Sequence, residues 1–290
     1  MDDKIVYKNG IAGQIVVCLG RVRIQTTDYI QGDAFQTEKR TVFGKGWLPL
    51  CAEGQIAGPG SFLALSVGGW SVLAVRDKEG AVRVLRNACR HQNMPVVGTP
   101  SGQCETFRCR FHGWTYDLQG KFVSAPPPVA PADPSPGAND LASLPVRVSN
   151  GLVFFAVDPI STGFFPPGFD QPYAGSLVTD IACNWKVCVE HLLGNQGTSE
   201  PEFAWFWPLM VVRHSDPLVL VEQVVPHTFL RTKLFTHVFG GAVEAQKFCA
   251  NATREACERL QAERAAGAPA NGSALLAQFH QALNEAYGNS

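Results

Sequence analysis

The chain has 290 residues and 31.4 kDa, with 46% hydrophobic and 17% charged residues and 24 Lys plus Arg against 25 Asp plus Glu. That length supports one large domain or two ordinary ones with buried cores, which excludes a staple-dependent miniature fold, and the low charged fraction excludes disorder over most of the chain. A formal charge of -1 leaves no basic excess to neutralise a row of phosphates, so no nucleic-acid partner is expected.

In chain order, the segment Met1-Asp2-Asp3-Lys4 begins acidic and no apolar core with a small-residue cleavage site follows it, so no signal peptide is expected. From Trp47 to Val157 short β-rich runs (Phe62 to Leu65, Ser71 to Val75, Ala81 to Leu85, Leu152 to Val157) alternate with turn residues such as Gly68-Gly69 and Glu79-Gly80. This pattern predicts a small all-β domain. The stretch from Ala125 to Gly137 is rich in Pro and Ala and predicts a surface loop leaving that domain. Beyond it, strand-like runs from Leu218 to Val225 and Phe229 to Val238 precede helical patterns from Ala242 to Ala265 and Ala274 to Ala286, which predicts an α+β second domain. The longest apolar run, Phe203 to Val212, is broken by Pro208 and is about half the ~18 residues that a membrane span needs. No membrane association is expected, and the address predicted is cytoplasmic. Nine cysteines, an odd number on a long chain, point to free thiols plus a metal site rather than a disulfide framework.

One constellation carries chemistry: Cys89-Arg90-His91, seventeen residues, then Cys109-Arg110-Phe111-His112. Each half offers one thiolate and one imidazole, the first on an extended loop and the second on a turn, so two loop tips can pinch a metal centre between them. A zinc site with two Cys and two His is one reading, although zinc pairs usually have two to four residues inside the first pair and a helix carrying the second. The other reading is an iron-sulfur cluster.

The spacing, with Gly113-Trp114 after His112, resembles the Rieske motif. That resemblance implies a [2Fe-2S] cluster with Cys89 and Cys109 on the inner iron and His91 and His112 on the outer one, the two imidazoles raising its potential above that of an all-thiolate cluster. Respiratory Rieske proteins carry a further Cys in each cluster loop; here those positions are Met94 and Phe111. The chain is instead similar to the Rieske non-heme iron oxygenases (aromatic ring-hydroxylating dioxygenase alpha subunits). The resemblance runs through Phe35-Gln36-Thr37-Glu38, Val42 to Trp47, His112 to Asp117, Gly151 to Phe154, Asn184-Trp185-Lys186 with Glu190, Phe206 to Leu209 and Cys257-Glu258-Arg259-Leu260-Gln261, about 250 of the 290 residues. It implies an N-terminal segment (1–40) packing on the second domain, a Rieske domain (41–157) and a shortened helix-grip, START-like α+β domain (158–290).

In the family the second domain holds a mononuclear iron on two His and one carboxylate. Counting from Asn184-Trp185-Lys186 and Glu190, the bridging Asp falls at Gly194 and the two His at Gly197 and Glu202; counting back from Cys257, the carboxylate falls at Thr253. The reading is that the iron triad is lost and that no mononuclear Fe(II) is bound. A rebuilt site could draw on His191, His214, His227, His237, Glu190, Glu200 and Glu202; the simpler expectation puts His227 and His237 on strand faces and makes the glutamates solvated loop charges. The resemblance then implies an electron-transfer subunit in a mixed head-to-tail ring, a trimer or hexamer, beside a catalytic oxygenase subunit and downstream of an NAD(P)H-dependent reductase or ferredoxin. The alternatives are a self-sufficient oxygenase with an unconventional iron site and a redox-sensing module that binds an apolar ligand.

Overall fold

A computed structural model describes residues 24–129, 131, 133, 135–163, 165–166, 168–194, 202–270 and 273–288, without the side chain of residue 202. Two short helices come first, α1 (Thr26–Ile30) and α2 (Gly32–Thr41). Then follow β1 (Trp47–Ala52), β2 (Ser61–Val67), β3 (Trp70–Arg76), β4 (Val82–Arg86), β5 (Ser101–Gln103), β6 (Phe107–Arg108), β7 (Thr115–Tyr116), β8 (Phe122–Ser124), β9 (Ser143–Leu144), β10 (Val146–Ser149) and β11 (Leu152–Ala156). They form three antiparallel sheets, ordered β5-β2-β3-β4-β9, β6-β7-β8 and β1-β11-β10. Gly68 and Gly69 close the β2-β3 hairpin with φ of 56° and 78°, a left-handed pair that glycine adopts without a Cβ penalty.

The apolar run in β3 does not alternate because both of its faces are covered. Leu73 and Val75 belong to a core with Phe62, Leu85, Phe107, Trp114 and Tyr116, whereas Val72 and Ala74 point the other way into the main core. The first core supports the two loops that carry the Cys and His pairs. These loops run from β4 to β5 and from β6 to β7, and Cys89 and Cys109 are part of that core.

The second half is a five-stranded antiparallel sheet, β12 (Tyr173–Ile181), β13 (Glu202–Phe206), β14 (Met210–Ser215), β15 (Leu218–Thr228) and β16 (Arg231–Phe239), in the order β12-β16-β15-β14-β13. Helices α3 (Trp185–Gly194), α4 (Lys247–Ala265) and α5 (Ala274–Gly288) cover it, with α3 against β15 and α4 against β12. This mixed α+β architecture is the fold class that the sequence implied. Among the described residues no helix is long and apolar enough to cross a membrane, and the eight cysteines there are all free thiols.

Two buried carboxylates tie the helices together. Glu38 of α2 accepts bonds from Trp185 Nε1 (2.7 Å), Lys186 Nζ (2.5 Å) and Tyr287 OH (2.5 Å), and both Glu38 and Lys186 are 0% exposed. Taking both charges out of water is tolerable only because each is paired and hydrogen-bonded. Glu190 of α3 accepts from Tyr29 OH (2.5 Å) and Arg264 Nε (3.0 Å) and meets His280 Nε2 (2.8 Å). The expectation of a solvated loop charge at Glu190 is therefore corrected: it is helical and buried, and three partners from α1, α4 and α5 use its oxygens. Asn184 caps α3, its Oδ1 accepting from Lys186 N–H, while its own backbone N–H donates to Gln261 of α4. The residues of the resemblance at Glu38, Asn184, Trp185, Lys186, Glu190 and Gln261 are thus one polar frame in space.

A second chain of hydrogen bonds joins the two sheets. Gln223 Nε2 donates to the carbonyls of Pro49 and Leu50 on β1, which leaves its Oε1 to accept from His237 Nε2 at 2.9 Å. His237 Nδ1 then accepts from Ser176 at 2.6 Å, and Ser176 accepts from Tyr173 OH at 2.7 Å. Burial at 0% exposure pushes the His237 pKa down to about 3, so the ring is neutral and its tautomer is fixed by Gln223.

Candidate metal centre

The two cluster loops repeat one backbone design. In the first, Cys89 N–H donates to Met94 O (2.8 Å) and Asn93 N–H returns to Cys89 O (2.7 Å); in the second, Cys109 N–H donates to Trp114 O (2.8 Å) and Gly113 N–H returns to Cys109 O (2.9 Å). The fourth residue after each Cys is left-handed, Asn93 at φ 57° and Gly113 at 72°. Asn tolerates that region through its short polar side chain, whereas at Gly113 a Cβ would also lie 3.0 Å from Pro126 Cγ. Each loop curls round its own sulfur and presents its imidazole at the tip.

Cys89 and Cys109 are both 2% exposed and sit at the inner end of the site, each thiol interacting with the other. Burial, together with Cys89, raises the Cys109 pKa, so the bare thiol is protonated at neutral pH and binding a metal there releases a proton. Tyr116 OH lies 3.2 Å from Cys89 Sγ and accepts the Arg90 N–H at 3.1 Å, which leaves the phenolic proton free to point at the sulfur. The rings of His91 and His112 meet edge to face with centroids 4.6 Å apart, and His91 stacks on Trp114 at 5.3 Å and 14°. The spacing of the sequence motif therefore brings all four predicted side chains into one site.

A test of fit for an inorganic group comes from the polar atoms. His91 Nδ1 is buried with no hydrogen-bond partner, an arrangement that costs free energy unless something else accepts its lone pair. Two cysteine sulfurs and two imidazoles, one of them with an unsatisfied nitrogen, fit an iron-sulfur group shared between the two loops. The Pro-rich stretch after β8 takes part as well. It is the surface loop that its composition implied, and its first residues lie across the second cluster loop: Trp114 Nε1 donates to Val129 O at 2.9 Å and Pro126 packs over Gly113.

The positions counted for a second, mononuclear metal are less completely described. Gly194 ends α3 in the open, with nothing within 4 Å of where its Cβ would be, and Thr253 lies half-buried on α4, which packs against α3. Gly197, Glu200 and the side chain of Glu202 lie outside the described residues. Of the residues considered for a rebuilt site, His237 has both nitrogens engaged, Glu190 is bound by three partners, His227 is exposed on β15, and His214 lies on β14 beside Phe169. His191 is on α3 with its pKa lowered by burial and by the charges of Arg213 and Arg259. Among the described residues no three His, Cys, Asp or Glu side chains are arranged to hold a single metal ion. Sequence reasoning missed His280, whose helical position gave no sign that it would reach Glu190 on another helix.

The two-loop site and its β-rich support define a class. Residues 46–145 match the family described as Rieske [2Fe-2S] domain. Over 180 residues the chain is 33% identical to the alpha subunit of chlorobenzene dioxygenase from Cupriavidus sp. strain PS12, a match covering 56% of this chain and 40% of that protein. It is 30% identical over 186 residues to the alpha subunit of biphenyl 2,3-dioxygenase from Rhodococcus jostii strain RHA1, covering 58% and 40%. The chain thus spans about two fifths of the length of these curated relatives. Its fold is similar to that of the quaternary ammonium Rieske monooxygenase CntA, with a TM-score of 0.75 and 18% identity over 91% of this chain and 95% of that one. Residues 46–145 thus match a Rieske [2Fe-2S] domain, and over 91% of its length the chain has the fold of a Rieske monooxygenase.

Proposed function

We propose that this chain is the electron-transfer subunit of a Rieske-type oxygenase, with Cys89 and Cys109 on the inner iron of a [2Fe-2S] cluster and His91 and His112 on the outer iron. The observation that carries the reading is the pair of matched loops that converge on two buried thiols and an unpartnered His91 Nδ1. Such a cluster supplies storage and transfer of single electrons. The protein residues set where that happens: Tyr116 directs a donor at Cys89, Trp114 holds the His91 ring, and the β6-β7-β8 sheet fixes both. His91 and His112 are half-buried, and Met94 and Phe111 of the same two loops are exposed.

The second domain on this reading is a scaffold rather than a reaction site, because Gly194, Gly197, Glu202 and Thr253 stand where the family carries the bridging Asp and the iron ligands. Electrons enter from an NAD(P)H-dependent reductase or ferredoxin and leave for the iron of a neighbouring catalytic subunit in a mixed head-to-tail ring, a trimer or hexamer. A quaternary ammonium Rieske monooxygenase of this fold is described by its inter-subunit electron transfer, which supports transfer between chains. In a complex isolated with its native partner, Cys109→Ser abolishes turnover by that partner; unchanged turnover without the cluster would sink the proposal.

The near-full-length structural match to a monooxygenase favours one competing reading, a self-sufficient oxygenase whose iron site is built from unconventional ligands. It predicts substrate hydroxylation by this chain with only a reductase added.

A further inference from the structure

The two imidazoles of the site stand in unequal surroundings. No hydrogen bond from a described residue orients either ring. The His91 ring lies on the Trp114 indole at 5.3 Å and 14°, whereas among the described rings His112 meets only the edge of His91, at 4.6 Å and 88°. Trp114 stands in the second loop, two residues after His112, so a residue beside one predicted ligand supports the ligand of the other loop.

The indole is itself held from several directions. Trp114 is 3% exposed, Phe122 of β8 packs on it at 4.9 Å, and its carbonyl accepts from Cys109 N–H at 2.8 Å. Its Nε1 donates to Val129 O at 2.9 Å, and Val129 N–H donates to Pro126 O at 3.0 Å, which closes the turn that carries this carbonyl. Trp114 therefore presents a rigid flat surface to His91. The outer torsion of a histidine side chain is broad and roughly two-fold, so the side chain alone does not set the plane of its imidazole. Metal-bound histidines usually have that plane set by a hydrogen bond from the second ring nitrogen. At His91 the stack on Trp114 takes that place.

We propose that Trp114 is a positioning residue for the cluster: its indole fixes the plane of the His91 imidazole, while His112 has no such support, so the two histidine ligands of the outer iron are held unequally. The inference rests on the ligand assignment above and adds which of the two ligands is held, and by what. The plane of a bound imidazole sets its overlap with the metal, and the magnetic coupling of its nitrogen reports that overlap.

The test uses the cluster-loaded protein, its histidines labelled with a heavy nitrogen isotope, reduced with dithionite and read by pulsed electron nuclear double resonance. The wild type shows two histidine nitrogen signals, one narrow and one broad. Trp114→Leu, which removes the ring, broadens the narrow signal at least about twofold. Trp114→Phe, which keeps a ring and loses only the Nε1 bond to Val129, stays within about a fifth of the wild-type width. Phe62→Leu is the control: Phe62 is 6% exposed in the same core and its ring packs on Phe107, so the change loosens that core while leaving the stack on His91 in place, and its spectrum matches wild type. If Trp114→Leu purifies without a cluster, retention decides in the same way, with Trp114→Phe and Phe62→Leu holding theirs. Two equally broad signals in wild type, a Trp114→Leu spectrum like wild type, a Trp114→Phe chain as altered as Trp114→Leu, or equal broadening or cluster loss in Phe62→Leu would overturn the positioning role and leave the ligand assignment standing. A reduced cluster with no histidine coupling at all would remove that assignment as well.

Discussion

Replacing Tyr116 by Phe probes the cluster environment with the least disturbance. The residue is 0% exposed and its ring packs against Phe122 at 6.1 Å, contacts that Phe retains. What is lost is one hydroxyl, 3.2 Å from Cys89 Sγ and 3.1 Å from the Arg90 nitrogen. A hydrogen bond to a charged acceptor contributes about 1.5 to 3 kcal/mol, but only the part that differs between the oxidised and reduced cluster moves the potential. Reduction adds one negative charge, part of which falls on the sulfurs, so roughly a third to a half of the bond, about 1 kcal/mol, is differential. For a one-electron couple, about 59 mV corresponds to a tenfold change in equilibrium constant, so the variant's potential falls by about 40 mV. A potentiometric titration followed by electron paramagnetic resonance reads this directly. A potential that stays within about 10 mV of wild type, or that rises, would refute the claim that the hydroxyl proton points at the sulfur.

Other consequences are open to equally direct tests. His91→Ala and Cys109→Ser each remove a cluster donor, so both purify with the cluster's visible absorption lost; a full-strength spectrum in either would contradict the ligand assignment. Glu38→Gln leaves Lys186 charged and buried with its counter-charge gone, which lowers stability by about 3 to 5 kcal/mol in denaturant titrations, and the double change with Lys186→Met recovers part of that loss. His237 is held neutral in the fold with a pKa of about 3, whereas the unfolded chain's histidine takes up a proton near the ordinary value of about 6.5. The unfolded state therefore binds more protons between those values, and this residue makes stability fall as pH drops through that window, by at most about 1.4 kcal/mol per pH unit. Denaturation midpoints measured from pH 7 to 5 should show a shallower slope for His237→Asn than for wild type; parallel slopes would contradict the assignment.

The cluster site was legible in the sequence because its chemistry is local. Each Cys and His pair is separated by one or two residues, and a loop closing on itself needs little help from the rest of the chain to bring them together. Strands such as β3, β15 and β16 were legible for a related reason, since long apolar runs in sheets covered on both faces leave an unmistakable pattern. The polar frame of the helices was not. Glu38 and Lys186 are 148 residues apart, and Glu190 and His280 are 90 apart. No periodicity marks a buried carboxylate whose partners come from other helices, so Glu190 reads as a surface charge until the packing is known. Strand β12, with its alternation of half-buried and exposed positions and Gly175 inside it, carries too weak an apolar signal to be read. The Pro-rich stretch was legible as a surface loop, but its composition says nothing of what it packs against, here Gly113 and Trp114.

The central claim, a chain that holds a cluster and delivers electrons without a mononuclear iron of its own, is tested most directly by counting iron. Protein purified without oxygen, from cells supplied with iron, is assayed for iron and for acid-labile sulfide per chain. The account predicts about two iron atoms and two sulfides per chain, with the visible spectrum of a cluster bound by two imidazoles. About three iron atoms with the same two sulfides would contradict it, and would place an active-site iron in this chain.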